Sequence, residues 1–130
     1  MEIKTVPIKK KKNKKSVTRG RVYIKATYNN TIVNFTDAKG DTLVIWSASR
    51  CGFKGPKKST PYAASLVVKE AADRVRDFGL KDVDIFVKGI GSGRDSAMRA
   101  VAAAGFNILS IKDLTPIPHN GCRAKKPRRV

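Results

Sequence analysis

Residues 89–94 read Gly-Ile-Gly-Ser-Gly-Arg and lie between a strand-like run and a helix-like run. Glycines let backbone amides approach an oxyanion closely, and the start of a helix adds partial positive charge, so the segment has the makings of an anion cradle. Its details argue against a nucleotide enzyme. A P-loop ends in Gly-Lys-Ser or Gly-Lys-Thr, and neither occurs in the chain. A dinucleotide fingerprint beginning at Gly89 wants its third glycine at position 94, which is Arg94. Two readings stay open. In the favoured one, the Gly91 and Gly93 amides contact a nucleic-acid phosphate with help from Arg94 and Arg99; in the other, the loop is only a tight turn.

A second segment points the same way. Residues 50–59, RCGFKGPKKS, place Arg50, Lys54, Lys57 and Lys58 around Phe53, with Gly52 and Gly55 allowing close backbone approach. That composition suits a phosphate backbone. Phe53 either stacks on a base or tucks into the edge of the core, and the second reading is favoured.

Catalytic chemistry is thin by comparison. Asp73, Asp77, Asp82 and Asp84 stand near element ends, where solvated faces or pairing with Arg74, Arg76 and Lys81 account for them. A two-metal nuclease needs several converging carboxylates and is the weaker alternative. His119 is the only histidine. Beside Asn120-Gly121 it reads as a polar turn or an RNA contact rather than a general base. Cys51 and Cys122 are far apart and outside any C-x-x-C pair, so two reduced thiols are expected and no zinc site. No catalytic residue, metal or cofactor is expected. Asn120-Gly121 also leaves the asparagine side chain open to attack by the following amide, which makes isoaspartate formation there a hypothesis for peptide mapping.

The charge distribution names the ligand class. Of 130 residues, 28 are Lys or Arg and 10 are Asp or Glu, a net charge of +18. Residues 1–21 carry Lys4, Lys9, Lys10, Lys11, Lys12, Lys14, Lys15, Arg19 and Arg21 against Glu2 alone. The last twelve residues carry Arg123, Lys125, Lys126, Arg128 and Arg129 with no acid. Blocks of like charge repel one another and stay disordered until a polyanion neutralises them. Nucleic acid is that polyanion. A membrane surface would call for a basic amphipathic helix with apolar residues on its other face, and KKKKNKK has none. With no long apolar run and no apolar stretch after the basic N-terminus, the protein is expected to be soluble and intracellular.

The elements that must position these residues follow from periodicity. Arg21 to Tyr28 alternates, with Val22, Ile24, Ala26 and Tyr28 on one side, and predicts a half-buried strand. Asn29-Asn30 turns the chain, Thr31 to Thr36 forms a second strand, residues 37–40 turn again, and Thr42 to Ser49 completes a meander held by Ile32, Phe35, Leu43, Ile45 and Trp46. Thr60-Pro61 announces a helix of about five turns with Ala64, Val68, Ala71, Val75 and Phe78 on one face, stopped by Gly79. Val83, Ile85 and Val87 make a strand. A second helix starts near Arg94, buries Ala97, Val101 and Ala104 and stops at Gly105, and Phe106 to Leu114 is the last strand. The order βββαβαβ predicts an α/β fold with a mixed five-stranded sheet and helices covering its faces. Residues 1–20 are read as a disordered basic tail, 21–118 as the core domain, and 119–130 as an extended basic tail that two prolines in TPIP begin.

Five ordered motifs carry a family resemblance over essentially the whole chain: YNNTIV at 28–33, GFKGPKKSTPYAA at 52–64, VKGIGSGRDS at 87–96, AAGF at 103–106 and TPIPHNGCR at 115–123 with its basic end. Together they resemble the bacterial form of the small-subunit ribosomal protein eleven family. The resemblance implies a ribonuclease-H-like α/β/α layered fold without nuclease activity, on the platform of the small ribosomal subunit in the cytoplasm or in an organellar ribosome. It implies binding to small-subunit ribosomal RNA, with ribosomal proteins seven and eighteen as neighbours and messenger RNA and its Shine-Dalgarno pairing close by. No membrane contact and no homo-oligomer are expected. By position, the RNA-binding residues carried over are Arg50, Lys54, Lys57, Lys58, Arg94, Arg99, Arg123 and the terminal cations. Ile90 and Ser92 stand where the family pattern favours prolines, and Arg50-Cys51 replaces smaller residues.

Overall fold

The alternation of apolar and polar residues sets the architecture: Val22, Ile24 and Ala26 are buried in one run and Val83, Ile85 and Val87 in another, while the residues between them stay outside the core. The computed structural model describes residues 16–129. The strands are β1 (Arg19–Ala26), β2 (Thr31–Asp37), β3 (Thr42–Ser47), β4 (Asp82–Lys88) and β5 (Asn107–Asp113), with α1 (Pro61–Val75) between β3 and β4 and α2 (Gly93–Ala103) between β4 and β5. Short 3-10 turns occupy Gly55–Ser59 and Arg76–Phe78. The sheet order is β3-β2-β1-β4-β5, antiparallel across the meander and parallel from β1 to β4 to β5. The expected mixed five-stranded sheet with two main helices is what the chain adopts. The lysine run Lys9 to Lys15 lies outside the described residues.

The expectation that helices cover both faces is wrong. α1 and α2 pack against each other and share one side, α1 over β2 and β3, α2 over β1 and β4. The cause is handedness. The crossovers β3-α1-β4 and β4-α2-β5 advance across the sheet in the same direction, and right-handed crossovers that advance the same way deposit their helices on the same face. The covered face carries Val22, Ile24, Val33, Phe35, Val83, Ile85 and Val87, closed by Ala64, Val67, Val68, Ala71 and Val75 of α1 and by Ala97 and Val101 of α2, all buried. The open face carries Tyr23 stacked on Phe86 with ring centroids 5.1 Å apart.

Four local readings shift. Val33, not Ile32, points into the core from β2, because Val22 pairs with Phe35 and Ile24 with Val33. Ile45 is half exposed, since it pairs with Asn34 on the open face. Tyr28 lies beyond the end of β1 and is 72% exposed, so it does not continue the buried row of Val22, Ile24 and Ala26. β1 also begins at Arg19, two residues before the expected start.

The helix signals behave as their chemistry dictates. The Thr60 hydroxyl oxygen accepts from the Ala63 amide at 3.2 Å and Pro61 opens α1. The helix tightens into a 3-10 turn and stops at Gly79, whose φ of 77° is left-handed.

Candidate nucleic-acid interface

Because β1, β3, β4 and β5 run in one direction, their carboxyl ends open on the same end of the domain. That end collects the turn after β1, the basic loop between β3 and α1, the glycine loop between β4 and α2, and the start of the C-terminal arm. Grooves beyond the carboxyl ends of parallel strands are where α/β sheets present ligand-binding loops. Both helices begin here, so both place the positive end of their dipole at this site. Lys54 and Lys57 are exposed and Lys58 is half-buried around it. Many of the acids gather at the far end instead: Asp37 and Asp41 around the β2–β3 turn, Asp77 after α1, and Asp82 at the start of β4.

Direct bonds tie the loops together. The Ser92 hydroxyl donates to the Ser59 carbonyl at 2.7 Å, joining the glycine loop to the basic loop. A proline at position 92 would lack that donor. The Gly91 amide donates to the Ala26 carbonyl at 3.0 Å, and the Gly89 amide donates to the Thr115 hydroxyl at 3.1 Å. The basic loop is folded on itself, with the Phe53 amide donating to the Ala48 carbonyl at 3.1 Å.

Steric fit explains the glycine loop. A Cβ on Gly89 would sit 2.1 Å from the Ala26 carbonyl oxygen, and one on Gly91 would sit 2.3 Å from that of Thr27. A Cβ on Gly93 would approach the Thr31 hydroxyl to 2.5 Å and the Ala64 methyl to 2.9 Å. Gly91 and Gly93 are buried, and their lack of a side chain serves the close packing of the start of α2 on β1, β2 and α1.

Several cations expected at RNA have protein partners. Arg94 donates to the Gly89 carbonyl at 2.7 Å and to Asp113 at 3.0 Å. Asp113 in turn accepts from the Thr115 hydroxyl at 2.7 Å and the Thr115 amide at 3.0 Å. These Thr115 bonds, then Arg94, hold the Asp113 carboxyl well below the usual carboxylate range. Arg50 lies over the Trp46 ring at 4.3 Å, and Arg74 lies over the same ring at 4.0 Å. Trp46 donates to Glu70 at 3.1 Å. Arg19 pairs with Asp84 at 3.2 Å at the far end of the sheet, and a bond from Ser110, then Arg19, lowers the Asp84 pKa. Arg99 lines a groove of about 590 Å³ between α1 and α2, with Lys69, Asp73 and Arg76, apart from the loop end.

Of the acid pairings expected, Asp73 meets Arg76 at 3.9 Å, whereas Asp82 accepts from Asn107. His119, Asn120, Arg123, Lys125, Lys126, Arg128 and Arg129 are all exposed on the C-terminal arm. Asn120 has a left-handed φ of 63° there. Phe53 is half-buried against the core with its ring edge-on to Tyr62, as the favoured reading holds. Cys51 is half-buried, and burial, then Glu70, pushes its thiol pKa up, which makes it a poor nucleophile. Among the described residues, no three of His, Cys, Asp and Glu come together in a group fit to hold a metal.

Sequence reasoning missed the Asp113–Thr115 pair and the Ser59–Ser92 link. The first had a local signal, since an aspartate two residues before a threonine can accept both its amide and its hydroxyl. The second had none, because it joins residues 33 apart.

A cationic α/β domain whose basic loops gather at one end has the features of a nucleic-acid-binding protein. The chain belongs to the ribosomal protein S11 family, whose model matches residues 20–129. It is 59% identical to small ribosomal subunit protein uS11 of Nitratidesulfovibrio vulgaris over 121 residues, covering 93% of this chain and 94% of that protein. It is 55% identical to the uS11 protein of Borreliella burgdorferi, with 93% of each covered. It is 52% identical to that of Rhodopirellula baltica, over 94% of this chain and 96% of the relative.

Proposed function

We propose that this protein is a structural constituent of the small ribosomal subunit in translation, binding small-subunit ribosomal RNA on the platform near the path of messenger RNA and its Shine-Dalgarno pairing. Ribosomal proteins seven and eighteen are its neighbours there, and the cytoplasm is its compartment. The observation that carries this reading is the gathering of the basic loop, two helix starts and the root of the C-terminal arm at one end of the sheet. The relatives' names, small ribosomal subunit protein, support the same assignment.

Lys54, Lys57 and Lys58 neutralise phosphates at the loop end. Arg123, Lys125, Lys126, Arg128 and Arg129 do so along the arm, which His119 and Asn120 join to the core, and Lys9, Lys10, Lys11, Lys12, Lys14 and Lys15 add charge from the N-terminus. Arg50 and Arg94 act at this end by holding Trp46 and the arm, while Arg19 and Arg99 offer cations on other faces. Gly91 and Gly93 act through the shape of the loop. Sedimentation of native lysate with and without ribonuclease tests the assignment. The protein is expected to move with the small subunit and to leave it after ribonuclease; mostly free protein in untreated lysate would overturn the reading.

A further inference from the structure

We propose that Tyr28 and Tyr62 are stacking surfaces for unpaired RNA bases at the loop end of the sheet, an inference that rests on the RNA binding proposed above. Tyr28 is 72% exposed and Tyr62 is 66% exposed, although aromatic rings ordinarily bury most of their surface in a fold of this kind. They sit on separate elements, the turn after β1 and the first turn of α1, and both elements belong to the same end of the domain.

Each ring is mounted on an ordered support. The Asn29 and Asn30 amides donate to the Thr27 hydroxyl at 3.2 and 3.1 Å, and the Thr31 amide donates to the Asn30 side chain at 2.8 Å, so the turn that projects Tyr28 is held from both sides. Tyr62 follows Pro61 and the Thr60 cap, and it meets Phe53 edge-on with ring centroids 6.1 Å apart and planes at 88°. A backbone support held in advance leaves mainly side-chain rotation to be lost when a base stacks on the ring.

The surroundings select RNA over an apolar protein surface. Lys54, Lys57 and Lys58 precede Tyr62 in the basic loop. Lys88 enters the glycine loop, which packs on Ala26 and Thr27 just before Tyr28. Asp113, an acid at this end, is already engaged by Thr115 and Arg94. An aromatic face among lysines matches a nucleotide in both its parts, with the base on the ring and the phosphate on the ammonium groups. Stacking uses the π-face that every base possesses, so these positions tolerate different bases.

The test measures binding of the full chain to small-subunit ribosomal RNA across a series of salt concentrations, for wild type, Tyr28→Ala, Tyr62→Ala and the corresponding Tyr→Trp and Tyr→Leu variants. Each alanine variant is expected to bind roughly 5- to 150-fold more weakly, the range for losing one stacked base, with the salt slope unchanged because no phosphate contact is lost. Tryptophan is expected to retain affinity and leucine to lose it. Alanine variants that bind like wild type, or leucine variants that bind as well as tryptophan ones, would overturn the proposal. So would a defect confined to assembled subunits with binding to naked RNA intact, since that result would seat the rings against a protein. If wild type itself binds without salt dependence, the RNA-binding reading fails instead. Thermal unfolding of every variant separates a folding defect from a binding one.

Discussion

Arg94 and Asp113 form a 3.0 Å ion pair across the gap between the start of α2 and the end of β5, while the same guanidinium holds the Gly89 carbonyl. The pair fastens the glycine loop to the strand from which the C-terminal arm departs. Arg94 is thereby a positioning residue. Its side chain is largely covered, and both terminal guanidinium nitrogens donate to protein acceptors.

Acid should loosen this fastening. The folded-state pKa of Asp113 is depressed by Thr115 and Arg94, so its contribution to stability is fully present above the ordinary carboxylate range near about pH 4 and is lost as the pH falls through the folded value. Urea midpoints followed from about pH 6 down to about pH 2 should fall less steeply in Asp113→Asn than in wild type. Identical acid limbs would contradict the role given to Asp113.

The glycine loop should be intolerant of a single methyl group. Gly89→Ala meets the Ala26 carbonyl oxygen at 2.1 Å and also strains a φ of 105°, so a loss of roughly 3 kcal/mol or more is expected. Gly40→Ala has a similar φ of 101° but open space, and about 1 kcal/mol is expected. Urea unfolding of the two variants measures the difference.

Two cations of the basic loop should differ in kind. Lys57→Ala is expected to reduce the salt slope of RNA binding by about 0.7 to 0.9 and to leave stability nearly unchanged. Arg50→Ala removes a guanidinium from the Trp46 ring and should cost about 0.5–1 kcal/mol of stability. Salt titration and thermal unfolding on both variants tell the roles apart.

The two basic ends should not be interchangeable. The C-terminal arm is rooted in the core through Thr115 and shaped by prolines and a left-handed Asn120, whereas the N-terminal lysines carry little sequence information. Deleting residues 119–130 is expected to impair incorporation into the small subunit more than removing an equal charge from residues 9–15. Quantitative sedimentation of subunits made with each truncation checks this.

The succession of three strands, a helix, a strand, a helix and a strand was legible in the chain, because two-residue and three-to-four-residue periodicities are local. Val22, Ile24, Val83 and Val87 announced their faces, and Thr60, Pro61, Gly79 and Gly105 announced the helix limits. The meander's register was less legible: Ile32 and Val33 are adjacent and both apolar, so only pairing with β1 decides which one is buried. Tyr28 continued an alternation that the chain abandons after Ala26 in order to turn.

Charge and periodicity are enough to specify a cationic α/β protein whose ends seek a polyanion, since neither needs knowledge of the fold. Which of the cations take protein partners depends on contacts between residues far apart in the chain. Arg50 and Lys57 look alike in RCGFKGPKKS and both are exposed, but the Arg50 guanidinium lies over the Trp46 ring. Arg94 looks like a phosphate ligand until β5 brings Asp113 beside it. Sheet order likewise decided that both helices share a face, because the direction of a crossover is a property of strands far apart in the chain.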